Sequence, residues 1–341
     1  MRSWPEVITP IKAHFQSLRQ KLNRLTEQNT GMMVLCQKEL ADHLGSKRFV
    51  IIVFLMALTS IASMYAAASG IRAATQNKET EFVFLHLFTA GGKSIPPFIS
   101  FIALLGPLVS LSLSFDAISG ERARRTLSRL LAQPIYRDAV INGKFLAVVL
   151  LLSTMLLALG GIVSGLGLLL IGIPPTVEEI VRIVAFLLLT VVYMALWSAV
   201  AILFSVYFRQ AATSALAGMA VWLFFSIFAQ LLVGLVADAV FPLTEQATTE
   251  IAFHHQQLRQ FLGWLSPSTL YSEAVIAILN PGIRILGPVM MEQIEGAVAG
   301  PLPLSQSLLL IWPHITGLIA ATLLCFAGSY VLFMRQEIRA D

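Results

Sequence analysis

The sequence predicts an all-α integral membrane protein, and three observations carry that prediction. Hydrophobic residues make up 57% of the chain and charged ones only 12%, with a mean hydropathy of +0.78. A globule of such composition could not cover itself with polar groups, so lipid must be the solvent for much of its surface. Six segments are also long enough, at about 20 apolar residues, to cross a hydrocarbon layer of about 30 Å. They are Phe49–Ser69, Pro97–Phe115, Phe145–Ile171, Ile183–Phe208, Thr213–Ala237 and Leu308–Met334, and none contains Asp, Glu, Lys or Arg. Backbone in lipid must satisfy its own hydrogen bonds, so these runs should be helices. The alternating ten-residue segments of a membrane β-barrel are absent.

An even number of spans puts both termini on one side, and charge decides which. The terminal side carries 17 Lys and Arg, against six in the opposite loops. Cytoplasmic loops carry the excess of positive charge, so both termini are expected in the cytoplasm of a multi-pass plasma-membrane protein. The net charge of +4 gives no reason to expect a nucleic-acid partner. Cys36 and Cys325 lie far apart and suggest neither a disulfide framework nor a metal site.

Between the spans, residues 1–31 read as a basic cytoplasmic extension. Residues 32–48 place Met33, Leu40 and Leu44 near helical spacing, interleaved with Lys38, Glu39 and Asp42. That is the pattern of an interfacial amphipathic helix. Residues 238–307 form an outer loop too long for a turn. Within it Ser266–Pro267 can start a helix and Asn280–Pro281 can end it, giving a re-entrant or surface-lying helix with Trp264 and Tyr271 at the membrane interface.

Residues 116–144 are the informative stretch. Ala123, Leu127, Leu130 and Leu131 recur at steps of three and four, while Arg122, Arg125 and Arg129 populate another face. Ser119 can cap the start and Pro134 stops the helix, which is expected over about 117–134. The product is an apolar ridge with an arginine border, suited to a groove on another protein. The bland alternative is a solvated basic loop. Gly143–Lys144 precedes the third span, where a basic residue would anchor at the interface.

This loop resembles the coupling region of type-2 ATP-binding-cassette exporter permeases, particularly the nitrous-oxide-reductase maturation branch. The matching positions are Glu121, Thr126–Leu127, Pro134, Arg137 and Gly143–Lys144. One position departs: Arg125 stands where the family has glycine. The segment around Lys38–Glu39–Leu40 resembles the elbow helix that opens such permeases. The resemblance implies an exporter-type transmembrane domain over residues 32–341. Its permease subunits pair as a homodimer or heterodimer, and a separate cytoplasmic ATPase binds ATP-Mg and drives them. Glu121, Arg122, Arg125, Leu127, Arg129, Leu130, Leu131, Pro134, Gly143 and Lys144 are then the expected coupling interface.

The chain itself contains no G-x-x-x-x-G-K-[ST] phosphate loop, and Gly91–Gly92–Lys93–Ser94 lacks the earlier glycine, so no cofactor is expected on it. His254–His255 with Glu250 imitates a metal site, but adjacent histidines point to different helix faces. Glu178–Glu179 reads as a solvated outer turn. Gly160, Gly161, Gly165 and Gly167 permit close packing of the third span, either internally or between subunits. Two other function classes are open to such a chain. One is a secondary carrier or membrane scaffold without ATP coupling, though a carrier would usually keep a charged residue within its spans. The other, an intramembrane enzyme, would need a nucleophile–base pair or metal ligands, and neither H-E-x-x-H nor G-x-S-x-G occurs.

Overall fold

The computed structural model describes residues 31–75, 82–91, 95–243, 248–284, 286 and 300–336. The expected extension (all but Gly31), residues 92–94 of the Gly-Lys-Ser stretch and, within the expected outer loop, residues 244–247, 285 and 287–299 lie outside these. Among the described residues the structure is helical, with no strand. Helix α1 spans residues 31–44 and α2 is Lys47–Thr75; a 3-10 turn at Val83–Leu85 leads into α3, His86–Thr89. Then follow α4 (Phe98–Ser114), α5 (Ser119–Ala123), α6 (Leu127–Leu131), α7 (Arg137–Ile171) and α8 (Val177–Tyr207). Helices α9 (Ala211–Leu223) and α10 (Ala229–Val240) are joined by a π turn at Phe224–Phe228. The outer pair α11 (Thr249–Gly263) and α12 (Pro267–Leu279) precedes α13 (Leu304–Arg335).

Six of these stretches are long and apolar enough to cross a membrane: Lys47–Ile71, Phe98–Ala123, Arg137–Ile171, Val177–Tyr207, Ala211–Val240 and Leu304–Arg335. They contain the six expected spans, apart from one or two end residues. The helices run past the apolar runs because polar termini can still be helical where water or protein satisfies them. The α7–α8 hairpin shows how sequence sets an end. Gly172 takes a left-handed conformation (φ 77°) that releases α7, and Pro174–Pro175 cannot continue it. Thr176 then caps α8 in a reciprocal box with Glu179.

Helix α8 is the centre of the bundle. It packs against α4, α7, α9, α12 and α13 and buries Phe186, Tyr193, Met194 and Trp197. Phe88, Phe98 and Phe186 meet edge to face at 5.5–6.2 Å, the preferred geometry of aromatic quadrupoles. The third-span glycines divide by role. A Cβ on Gly160 would lie 2.9 Å from Leu187, and one on Gly167 would strike Leu87, whereas Gly161 and Gly165 face open space. Gly160 and Gly167 therefore serve internal packing.

Glu179 is not a solvated turn residue: it is buried, and its Oε1 accepts a hydrogen bond from the Phe84 amide at 2.9 Å. Arg182, one of the six basic residues expected in the loops opposite the termini, is fully buried one turn further along α8. It donates to Glu178 Oε1 (2.8 Å), the Ile278 carbonyl (2.7 Å), the Leu302 carbonyl (2.5 Å) and Ser307 Oγ (3.3 Å). Helix α8, the end of α12 and the start of α13 are thus gathered on one guanidinium, whose five donors suit such a hub.

Helix α12 starts at Ser266 with proline at its first turn and ends before Asn280, as the turn residues require. Tyr271 is not at an interface: it is buried, stacked on Tyr193 with centroids 4.1 Å apart, and bonded to Thr190 at 2.9 Å. The hydroxyls of Ser266 and Ser268 both donate to the Phe225 carbonyl, at 3.0 and 3.1 Å, midway along the fifth span. His255 pairs with Asp238 at 2.9 Å and His254 lies 3.9 Å from Glu250, so the two histidines do point apart.

Candidate functional site

The site grows from the end of the bundle that holds residues 31–46, 116–136 and 336. The expected single helix over 117–134 is two short ones, α5 and α6. The break falls at Arg125, whose φ of 56° lies in the left-handed region. That is the position where the resembling family has glycine, the residue that adopts such a φ without strain. The cap also comes from elsewhere. Ser119 does not cap α5; the amides of Ile118 and Ser119 instead donate to Ser205 Oγ of α8 at 2.9 and 3.0 Å.

The three leucines of the apolar stripe turn inward, while Ala123 is exposed. Leu127 is buried among Leu35, Ile118, Val140, Ile202 and Phe333, with Leu130 and Leu131 packed against the same cluster. It is therefore not a free docking ridge, because its own bundle supplies the groove. What faces solvent is mainly polar and basic: Arg124, Arg125, Ser128, Arg129 and Gln133 are exposed, together with Ala123, Ala132, Pro134 and Tyr136. Arg122 leaves this border. Its guanidinium donates to Gln336 Oε1 at 2.5 Å, and Arg137 donates to the Gln336 carbonyl at 3.2 Å. Gln336 in turn donates to the Val206 carbonyl at 2.8 Å, so the end of α13 ties the loop to the end of α8.

Lys144 is the largest correction. In place of an interfacial anchor the structure has a buried ammonium, 3% exposed, 2.7 Å from Glu39 of α1 and 3.5 Å from Glu121 of α5. An uncompensated charge there would be costly, and the two carboxylates supply the compensation. Gly143 makes the approach possible: a Cβ at that position would sit 3.0 Å from the Met32 carbonyl of α1. The Gly-Lys pair thus fastens α1 to α7, first by removing bulk and then by charge. Glu121 also accepts from Thr126 Oγ1, which closes the turn between α5 and α6.

Lys38 extends the cluster outward, at 3.1 Å from Glu39, 2.9 Å from Asp42 and 3.9 Å from Glu121. Burial works against its charge, but the hydrogen bond to Asp42 and the charge of Glu39 outweigh it and hold the ammonium above its usual value. His43 behaves oppositely: burial pushes its imidazole below the ordinary value, and Glu39 and Asp116 only partly oppose this. A cleft of about 510 Å³ opens beside these groups, lined by Lys38, Asp42, Glu121, Arg124, Thr126, Arg129, Leu130 and Gln133. Five of its eight lining residues are charged, and Leu130 reaches it from the stripe.

Six spans, a short helix packed before the first, and a broken basic loop between the second and third are the geometry against which relatives can be compared. Residues 33–338 match the family described as ABC-2 family transporter protein. The chain belongs to that family. "Probable ABC transporter permease protein NosY" of Pseudomonas aeruginosa is 31% identical over 248 residues, covering 70% of this chain and 78% of that protein. The protein of the same name from Stutzerimonas stutzeri is 33% identical over 129 residues, covering 36% and 40%. This ABC-2 chain is accordingly a multi-pass membrane permease subunit of an ABC transporter, and the family implies a cytoplasmic ATPase partner.

The structure brings Glu121, Gly143 and Lys144 of this permease into one cluster and Leu127, Leu130 and Leu131 into another. It leaves Arg125, Arg129 and Pro134 outside both. Glu39, Ser205 and Gln336 were not singled out from sequence as site residues. A signal existed for Glu39 alone, as a carboxylate on an amphipathic helix near a lysine at a span edge. Ser205 and Gln336 are ordinary polar residues until the helix ends are brought together. Among the described residues no three potential metal ligands converge.

Proposed function

We propose that this permease exports its cargo across the plasma membrane as one of two paired subunits, each served by a separate ATPase that binds ATP-Mg. Both termini and the loop over residues 116–144 then face the cytoplasm, which the 17-to-six distribution of basic residues supports. The observation that carries the reading is the Glu39–Lys144–Glu121 cluster. It ties α1, α5 and α7 together directly beneath the exposed basic face of the loop. A partner pressing on Arg124, Arg125 and Arg129 would push on α5 and α6. Through Glu121 and Lys144 that push reaches α7, whose 35 residues run the full depth of the bundle. The ATPase supplies the work; this chain's residues receive and transmit it.

The test is coupling. Purified with its ATPase in liposomes, the permease with Lys144→Met, Glu39→Gln and Glu121→Gln together should still bind the ATPase. It should lose most of the ATP-dependent conformational change, read as distance change between spin labels at the outer ends of the spans. Unaltered ATP-dependent changes in that variant would contradict the transmission route.

A further inference from the structure

The outer helical pair carries side chains that lipid should not tolerate. Helix α12 begins where Ser266 and Ser268 grip the Phe225 carbonyl, midway along the fifth span, and ends where Arg182 holds Ile278 near the opposite end of α8. Helix α11 runs beside α10 to the same low point. Each helix of the pair is about 20 Å long, so the two reach roughly half-way through a 30 Å layer. Yet α11 carries Gln256, Arg259 and Gln260 on one face, at spacings of three and four. Helix α12 presents Thr269 and Glu273, one turn apart, and the fifth span presents Gln230.

All six of those side chains line one cavity of about 540 Å³, within the size range of small-molecule sites. Gln260 already donates to the Leu286 carbonyl at 2.6 Å. Polar groups at that depth need polar partners, so the occupant is hydrophilic; an apolar cargo would leave Gln230, Gln256 and Arg259 without them. The charges narrow it further. Glu273 is held in place by Trp264 Nε1 at 3.0 Å and His314 Nε2 at 2.9 Å, both meeting the same oxygen, Oε2. Among the described residues Arg259 makes no ion pair, with Glu273 or with any other carboxylate. One carboxylate and one guanidinium therefore face the same volume without neutralising each other.

From this geometry we propose that the cavity binds a small zwitterionic solute, its cationic group on Glu273 and its anionic group on Arg259. The amides of Gln230 and Gln256 complete the hydrogen bonding, and the Gln260 oxygen adds an acceptor while its nitrogen holds the Leu286 carbonyl. This rests on the permease reading and names a cargo class for it.

The test uses the full permease purified with its ATPase in liposomes, with Cys36→Ala, Cys325→Ala and Thr269→Cys. Modification of the new thiol by a membrane-impermeant charged thiosulfonate is timed with no addition, with alanyl-alanine, with glycine betaine and with sucrose. The amidated dipeptide (cation only) and the acetylated one (anion only) complete the set. At least one zwitterion should slow modification several-fold, while the single-charge analogues and sucrose should not. Arg259→Gln should weaken that protection by about tenfold or more, the loss expected for a charge-assisted hydrogen bond. Glu273→Gln should do the same, but it also disturbs Trp264 and His314, so Arg259→Gln carries the test. A thiol that is never modified, protection by no zwitterion (a water-filled vestibule only), equal protection by single-charge analogues, or protection unchanged in Arg259→Gln would each overturn the proposal. Recovery of the ATPase with the wild-type chain reports separately on the permease reading.

Discussion

Two buried cations mark the two ends of this permease, and they are held in different ways. Lys144 meets side-chain carboxylates from α1 and α5, and the half-exposed Lys38 competes for the same acceptors beside an open cleft. Arg182 meets a carboxylate one turn away on its own helix, two backbone carbonyls and a serine hydroxyl, and is shut off from solvent. Carboxylates on separate elements can exchange partners when something charged enters the cleft. Backbone carbonyls cannot move without unwinding the chain that carries them. The Lys144 end is built to yield and the Arg182 end to hold.

Substitutions can break that contrast. The largest expected effect is Arg182→Leu, which strands the Ile278 and Leu302 carbonyls and should cost about 3–5 kcal/mol, seen as a collapse of thermal stability in detergent. A loss below 1 kcal/mol would show that Arg182 is no rivet. Lys144→Met should cost about 3 kcal/mol, since it leaves Glu39 and Glu121 facing each other without a counter-ion. Removing both carboxylates as well should restore most of that stability, because an apolar or neutral substitute for a whole buried ionic set is often tolerated. Melting temperatures of the single and triple variants decide this.

Smaller effects sharpen the same picture. Gly143→Ala forces α1 off α7 and should cost about 1–3 kcal/mol, whereas Gly161→Ala, with open space around it, should be neutral or slightly stabilising. Equal melting temperatures for the two would mean that the α1–α7 contact is looser than the structure shows. Arg125→Gly should stabilise the chain by about 1 kcal/mol by relieving the left-handed strain, while removing one charge from the exposed face.

The smallest effect concerns pH. The folded chain keeps His43 below its ordinary value, so the unfolded chain takes up the proton first. The resulting stability is complete above about pH 6.5 and is lost as pH falls through the lower, folded value. His43→Gln should flatten that acid-side decline in melting temperature. A decline that steepens instead would reverse the sign assigned to His43.

The six spans were legible because continuous hydropathy over 20 residues has no other reading. Hydropathy separates water from what is not water, but it does not separate lipid from protein. The most apolar 18-residue stretches of the fourth and fifth spans have mean hydropathies of 2.4 and 2.3, yet 67% of the fourth span's stretch and none of the fifth's is buried within the chain. The loop at 116–144 was found by its motif, but the direction of its stripe was not, since periodicity shows that a face is apolar without showing what covers it. Lys144 and Arg182 were read as edge charges because local sequence contains no trace of Glu39, Ile278 or Leu302 beside them. Tyr271, assigned to an interface by its residue type, is buried for the same reason: its partners Thr190 and Tyr193 lie about 80 residues away.

The most direct measurement is recovery of the ATPase with affinity-tagged permease after changing the two faces of the loop separately. Arg124→Glu, Arg125→Glu and Arg129→Glu together should release the ATPase, whereas Leu130→Ala with Leu131→Ala should lower stability but retain it. Retention by the charge-reversed chain, with release by the leucine variant, would put the docking surface on the apolar stripe and contradict the account.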